Sequence, residues 1–248
     1  MRKFGLIGYP LGHSFSKAFF TEKFRDEKIA DCSYDNYPIE DISQLPNILK
    51  EQQYLFGLNV TIPYKEKVFQ YLDEIDHEAQ EIGAINTIKI VRSGNEYRLK
   101  GFNTDAFGFE QPLLKVMREY HRTALILGTG GASKAVAYIL KKHNIKYKYV
   151  SRVPKSKDFY SYEDLDESVI KQFHIIINTS PLGMYPNTAR CPDIPYGALT
   201  RNHILYDLIY NPEKTLFLKK GEKQDATVLN GLPMLKLQAD KAWEIWNT

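Results

Sequence analysis

Apolar runs of strand length alternate along this chain with stretches whose apolar positions recur every three or four residues. Residues 3–8 read as a buried strand stopped by Tyr9-Pro10-Leu11-Gly12, and 15–24 as a helix that the Ser14 or Ser16 hydroxyl would open as a cap. Strands are next expected over 33–37 and 56–62, separated by a helix over 40–53 that breaks near Pro46. Pro63 stands where a helix would start, so 65–72 is expected to be helical with Lys65 in its first turn. Residues 82–90 begin a strand that turns at Arg92-Ser93-Gly94-Asn95 and returns over 97–102 as a hairpin, before a helix over 106–117. Such alternation of strand and helix favours a mostly parallel sheet.

The second half opens on a sharper pattern. An apolar strand over 123–127 breaks into Gly128-Thr129-Gly130-Gly131-Ala132-Ser133, a helical period runs over 133–143, and a second strand follows at 146–150. Glycines at a strand-to-helix turn let the backbone come close to a pyrophosphate, and the helix beyond offers free N–H groups and its positive dipole end to that anion. Glycine turns also join elements for purely structural reasons, and the third position of the usual fingerprint is Ser133 here. The strand, turn, helix, strand context favours the dinucleotide reading. Further strands are expected over 173–179 and 203–210, and a closing helix over 231–246 carries Trp243 and Trp246, which must dock on something.

Composition narrows the class. A chain of 248 residues has room for two domains. A formal charge of +3, without a Lys/Arg block or interleaved stacking aromatics, gives nucleic-acid binding little support. Cys32 and Cys191 are too few for a disulfide framework, no zinc motif appears, and the six histidines form neither an i, i+4 ligand pair nor a nucleophile triad, so no metal is expected. With no signal-like leader and no membrane-length apolar segment, the cytoplasm is expected, and no membrane partner.

Several polar residues carry two readings each. Ser14 and Ser16 are helix caps, or hydroxyls that hold a carboxylate at the end of a strand. Lys65 is a solvated surface lysine, or a functional one, since the positive end of a helix dipole would not favour it structurally. Asn86, Asn103 and Asp105 fit turn and cap chemistry, or bonds to ring hydroxyls. After the strand at 146–150, where NAD enzymes place an acid for the ribose, the chain has Ser151-Arg152 and no carboxylate until Asp158, so NADP is expected. Leu182 and Met184 either pack on a nicotinamide or anchor their loop.

Taken together, these stretches resemble the shikimate dehydrogenase family, nearly end to end. The resemblance is carried by Gly8-Tyr9-Pro10-Leu11-Gly12-His13-Ser14-Phe15-Ser16, Asn59-Val60-Thr61-Ile62-Pro63-Tyr64-Lys65, Gly83-Ala84-Ile85-Asn86-Thr87, Asn103-Thr104-Asp105, the glycine turn, Tyr206-Asp207-Leu208-Ile209-Tyr210 and Gly231-Leu232-Pro233-Met234-Leu235. It implies an α/β fold of two domains: a mostly parallel α/β substrate domain (1–102 with 231–248) and an NADP-binding Rossmann domain (103–230), the C-terminal helix returning to the first. By motif, Lys65 and Asp105 look like the catalytic pair. Ser14 and Ser16 look like the carboxylate clamp, and Thr61, Asn86, Asn103, Tyr210 and Gln238 like the other substrate contacts. Gly128, Gly130, Gly131, Ala132, Ser133, Ser151, Arg152, Thr179, Met184 and Gly231 look like the cofactor contacts. The implied reaction is reversible reduction of 3-dehydroshikimate to shikimate by NADPH, in a monomer or homodimer. The alternatives are a quinate/shikimate enzyme using NAD, or a catalytically silent NADP-binding regulator. Where the family usually has Pro after the second serine and His-Asn soon afterwards, this chain has Lys17-Ala18-Phe19-Phe20-Thr21.

Overall fold

The structure, a computed structural model, describes every residue except His13, Ser14, Asn95 and Lys155, so the expectation for Ser14 lies outside the described residues. The chain divides into two compact units, Met1–Thr104 with Gln238–Thr248, and Asp105–Leu237.

In chain order the first unit contains β1 (Arg2–Gly8), α1 (Phe15–Asp26), β2 (Cys32–Pro38), α2 (Leu45–Glu51), β3 (Leu55–Val60), β4 (Glu74–Ile75), α3 (His77–Ile82), β5 (Thr87–Ser93) and β6 (Glu96–Phe102). Among the described residues its strands form one sheet in the order β2-β1-β3-β5-β6-β4. β1 pairs in parallel with β2 and β3, whereas β5 runs antiparallel to β3, and β6 to β5. The register sets Thr87, the first residue of β5, opposite Asn59 near the end of β3 and opposite Phe102, the last residue of β6. The hairpin therefore returns both of its open ends, leading to Asn86 and Asn103, to the edge where β1 and β3 finish.

One face of this sheet buries Ile7, Leu58, Val60 and Ile85 against Leu45 and Leu49 of α2. The opposite face buries Phe4, Leu6 and Tyr34 with Phe20 of α1 and with the end of the last helix, α8, described below. There Trp246 stacks on Phe4 at 4.9 Å, and its indole N–H donates to Ile88 O at 3.0 Å. It sits over Gly57, where a Cβ would collide with the indole ring. Full burial of one such side chain is worth about 1.5–3 kcal/mol. This is where the C-terminal tryptophan docks.

Three local expectations change. Pro46 does not break a helix: it lies in the first turn of α2, after a 3₁₀ turn over Ile42–Gln44 capped by Asp41. A missing N–H costs nothing at a position that has no intrahelical acceptor. After Pro63 the chain forms a short 3₁₀ helix, Lys67–Tyr71, with Glu66 as its cap, so Lys65 stands ahead of the helix. Its carbonyl instead accepts the Ile85 N–H at 2.7 Å, which ties this loop to the segment before β5. Ile82 ends α3 rather than starting a strand, because Gly83 at φ 70° supplies a left-handed stop.

The second unit contains α4 (Asp105–Val116), β7 (Thr123–Leu127), α5 (Gly131–Lys142), β8 (Lys146–Val150), β9 (Phe159–Tyr160), α6 (Glu167–Ile170), β10 (Ile175–Asn178), β11 (Ile204–Asp207), α7 (Leu216–Glu222), β12 (Thr227–Leu229) and the start of α8 (Leu232–Asn247), inside which the division between the units falls. Its sheet has the order β12-β11-β10-β7-β8-β9, and the described pairs are all parallel. From β7 the chain proceeds one way to β8 and β9, then restarts on the other side at β10. The strand order thus reverses between β7 and β10, the place where open α/β sheets take ligands. α5 buries Ala135, Val136, Ile139 and Leu140, the apolar positions that its period marks, and Phe109 of α4 stacks on Tyr206 of β11 at 5.0 Å. No helix among the described residues is long and apolar enough to cross a membrane.

Candidate active site

In the first unit, the sequence-marked polar residues gather at one end of the sheet because of the register just described. Ser16 stands in the first turn of α1, which follows β1. Thr61 follows β3, its methyl packed where a side chain on Gly8 would collide, and Lys65 is half-buried four residues on. Asn86 precedes β5, Asn103 follows β6, and both are buried. Asn103 donates to Ala84 O at 2.8 Å, which locks the loop before Asn86.

Hydrogen bonding fixes which end of each amide faces which neighbour. The Thr104 backbone N–H can only donate, and it lies 2.7 Å from Asn86 Oδ1, so Nδ2 is the donor end of the amide, 2.8 Å from Gln238 Oε1 and 3.0 Å from Thr104 Oγ1. Gln238 is consequently turned so that Nε2 is the atom it offers as a donor, as a ligand hydroxyl oxygen requires. Asn59 donates from Nδ2 to Thr87 Oγ1 at 3.2 Å and accepts at Oδ1 from the Tyr34 hydroxyl at 2.8 Å. The Thr87 hydroxyl lies 3.2 Å from Asn86 Oδ1 and 3.3 Å from Thr104 Oγ1, which joins Asn59 to the Asn86 end of the network. Burial holds the Tyr34 phenol well above its ordinary pKa, with a hydrogen bond from Ser16 acting weakly the other way, so it stays a neutral donor.

In the second unit, Asp105 opens α4 and is buried. The cofactor candidates follow the carboxyl ends of the parallel strands. Gly128 follows β7 with φ 119°, and a Cβ there would meet Thr179 Oγ1 at 2.8 Å. This one glycine is required by both backbone and space. Thr179 follows β10 and ties itself to β7, donating from Oγ1 to Leu127 O at 3.0 Å. Gly130 caps α5 without a side chain, Gly131 and Ala132 form the first turn, and that turn holds no acid. Ser133 is buried and turns its hydroxyl back to Gly130 O at 2.6 Å, which holds the turn closed. Ser151 and Arg152 follow β8; the Ser151 hydroxyl accepts the Val153 N–H at 3.3 Å, and Arg152 is exposed. Asp158, the first acid beyond, is held by Lys148 at 3.2 Å. Met184 is exposed. Gly231 follows β12, its Cα packed where a side chain would strike Leu208 O. Tyr210, half-buried, has its phenol pKa raised by burial. An uncapped helix end, a tight glycine turn at the strand switch and a guanidinium in place of an acid fit a phosphorylated dinucleotide.

The chain is similar to known proteins over nearly its whole length. Residues 6–88 match the family described as shikimate dehydrogenase substrate binding domain. A shikimate dehydrogenase (NADP(+)) of Halothermothrix orenii is 39% identical over 272 residues, covering 98% of this chain and 89% of that protein. The chain belongs to the shikimate dehydrogenase family. Another member, from Clostridium beijerinckii, is 40% identical over 260 residues, with 99% and 92% covered. Among solved members of the family, the enzyme of Thermus thermophilus in complex with NADP(H) and shikimate superposes with a TM-score of 0.84 at 30% identity, covering 99% of this chain and 93% of that one.

Tyr34, Asn59, Thr87 and Thr104 complete the buried network; Asn59, Thr87 and Thr104 stand inside the family-like motifs, but the sequence assigned none of the four a role. Asn59 left a usable signal, a polar residue between Leu58 and Val60 inside an apolar strand. Tyr34 left none, because a tyrosine in a strand is ordinary core material. The second unit has a similar group: Asp207 is buried, accepts from Thr215 Oγ1 at 2.6 Å and Asn178 Nδ2 at 3.0 Å, and burial pushes its pKa up to about 6.

Proposed function

We propose that this chain catalyses the reversible reduction of 3-dehydroshikimate to shikimate with NADPH. Family membership over nearly the full length carries the reading; the polar cluster at the end of the first sheet and the acid-free turn at Arg152 support it. When bound, NADPH supplies the hydride for the ring carbonyl. Lys65 in its ammonium form stabilises the oxygen as negative charge develops and donates the proton; in the oxidation direction neutral Lys65 is the base. Asp105, the other member of the proposed catalytic pair, accepts from a substrate hydroxyl. Ser16 donates to the substrate carboxylate, and Thr61, Asn86, Asn103, Tyr210 and Gln238 bond the ring hydroxyls, with Gln238 donating from Nε2. The α5 N-terminus with Gly128, Gly130, Gly131, Ala132 and Ser133 holds the pyrophosphate end. Ser151 and Arg152 hold the 2′-phosphate, and Thr179, Met184 and Gly231 line the remainder. The two free thiols, Cys32 and Cys191, suit a reducing cytoplasm, and a monomer or homodimer suffices.

The test is initial rates for purified protein with shikimate or quinate, each with NADP or NAD, read as reduced-cofactor absorbance. Turnover greatest with shikimate and NADP is expected. Binding of NADP without turnover of either acid would sink the proposal, and turnover confined to NAD would overturn the role of Arg152.

A further inference from the structure

Asp207 has no exposed surface and is the last residue of β11, paired with Asn178, the last residue of β10. Its carboxylate collects three donors: Asn178 Nδ2 at 3.0 Å and the Ile209 N–H at 3.1 Å on one oxygen, and the Thr215 hydroxyl at 2.6 Å on the other. Asn178 can face it only this way round, because its Oδ1 accepts the Ser180 N–H at 3.0 Å, a group that only donates. The Ser180 hydroxyl in turn lies 2.7 Å from that oxygen and accepts the Leu182 N–H at 3.3 Å, which shapes the loop leading to Met184. On the other side Ile209, held by its N–H, accepts the Gly231 N–H on its carbonyl oxygen at 3.0 Å. One carboxylate thus joins the segments that follow β10, β11 and β12. A buried carboxylate is a costly way to fill a core, where an apolar side chain would serve without the desolvation. Arg152 follows β8 on one side of the strand switch, whereas β10 and β11 end on the other, where the opposite end of a dinucleotide belongs.

We propose that Asp207 is a positioning residue for the nicotinamide end of the cofactor: it holds the backbone around Thr179, Met184 and Gly231 in the shape that receives the ring. Being buried, the carboxylate acts through Asn178 and Ile209 rather than by touching the ring. Loops held in place before binding lose less conformational freedom when the ring arrives, which lowers the cost of binding. The inference rests on the proposed function, in particular on NADP binding with these three residues at its nicotinamide end.

The experiment is isothermal titration calorimetry of Asp207→Ala and Ser180→Ala with NADP and with 2′-phospho-ADP-ribose, which keeps the phosphates and lacks the nicotinamide. For Asp207→Ala, Kd for NADP is expected to rise roughly five- to thirtyfold, while Kd for the fragment stays within about twofold of wild type. Ser180→Ala removes one link of the Asn178 arm and should raise Kd for NADP roughly two- to fivefold, with the fragment again unaffected. Asp207→Ala decides if it folds: an unchanged Kd for NADP overturns the inference, and so does equal weakening of both ligands, the mark of a general loosening of the unit. If it does not fold, Ser180→Ala decides by the same two outcomes. Wild-type protein that binds NADP no more tightly than the fragment also overturns the inference, and leaves the function standing if shikimate is turned over with NADP. Wild-type protein that binds neither ligand removes the proposed function, and the inference with it.

Discussion

Gly57→Ala tests whether the docking of α8 supports the substrate end of the first unit. A Cβ on Gly57 would fall on the Trp246 ring, which must retreat by about 1 Å to reach ordinary contact at 3.4 Å. Phe4 at 4.9 Å and Phe20 at 5.5 Å crowd the ring, and the Ile88 carbonyl at 3.0 Å tethers its N–H. Overpacking of this kind costs about 1–3 kcal/mol, and a strained or lost buried hydrogen bond adds on the order of 1 kcal/mol, for a total of about 2–4 kcal/mol. At about 4 °C per kcal/mol, the first unit should melt roughly 8–16 °C lower. The same displacement reaches Gln238, eight residues earlier on α8, about 12 Å along the helix at 1.5 Å per residue. Differential scanning calorimetry with steady-state kinetics should show lower melting and a raised KM for shikimate with KM for NADP retained, because the cofactor candidates lie in the other unit. Wild-type melting with unchanged KM for shikimate would refute the reasoning, since it would mean that α8 yields without cost.

Three further outcomes are expected. Lys65→Ala should lower kcat about 10²–10⁴-fold with little change in shikimate affinity, and near-wild-type turnover would remove Lys65 from the chemistry. Arg152→Ala should raise KM for NADP roughly 10- to 150-fold, the equivalent of about 1.5–3 kcal/mol for a hydrogen bond to a charged group, and leave KM for NAD nearly unchanged; equal effects on the two cofactors would place Arg152 elsewhere. Burial raises the Asp207 pKa from 3.8 to about 6, so this group contributes stability that is full below pH 3.8 and is lost as pH rises through about 6. The stability advantage of wild type over Asp207→Asn, from urea unfolding, should therefore shrink between pH 4 and 7 by on the order of 3 kcal/mol, and a gap that does not change with pH would contradict the burial argument.

Much of the fold was legible because the deciding signals are local. The glycine turn, the apolar face of α5 and the strand runs of the second unit each follow from positions a few residues apart, and the absence of an acid after β8 is a fact of the sequence alone. Short elements such as β9, α6 and β12 escaped because, at two to four residues, none repeats its period often enough to show a pattern. Lys65 could be marked as chemically odd, but its place ahead of the 3₁₀ helix depends on Ile85 competing for its carbonyl, a partner 20 residues away. The sequence by itself determined the alternation of elements and the resemblance that collected the polar residues. Only the tertiary structure decided where those of the first unit stand: the antiparallel β5–β6 hairpin brings Asn86 and Asn103 back to the ends of β1 and β3, and buried donors and acceptors that cannot reverse set which end the Asn59 and Asn86 amides turn to their neighbours. Direction in a hydrogen-bond chain depends on which donors and acceptors meet in space, and neither the period nor the composition of a sequence records that.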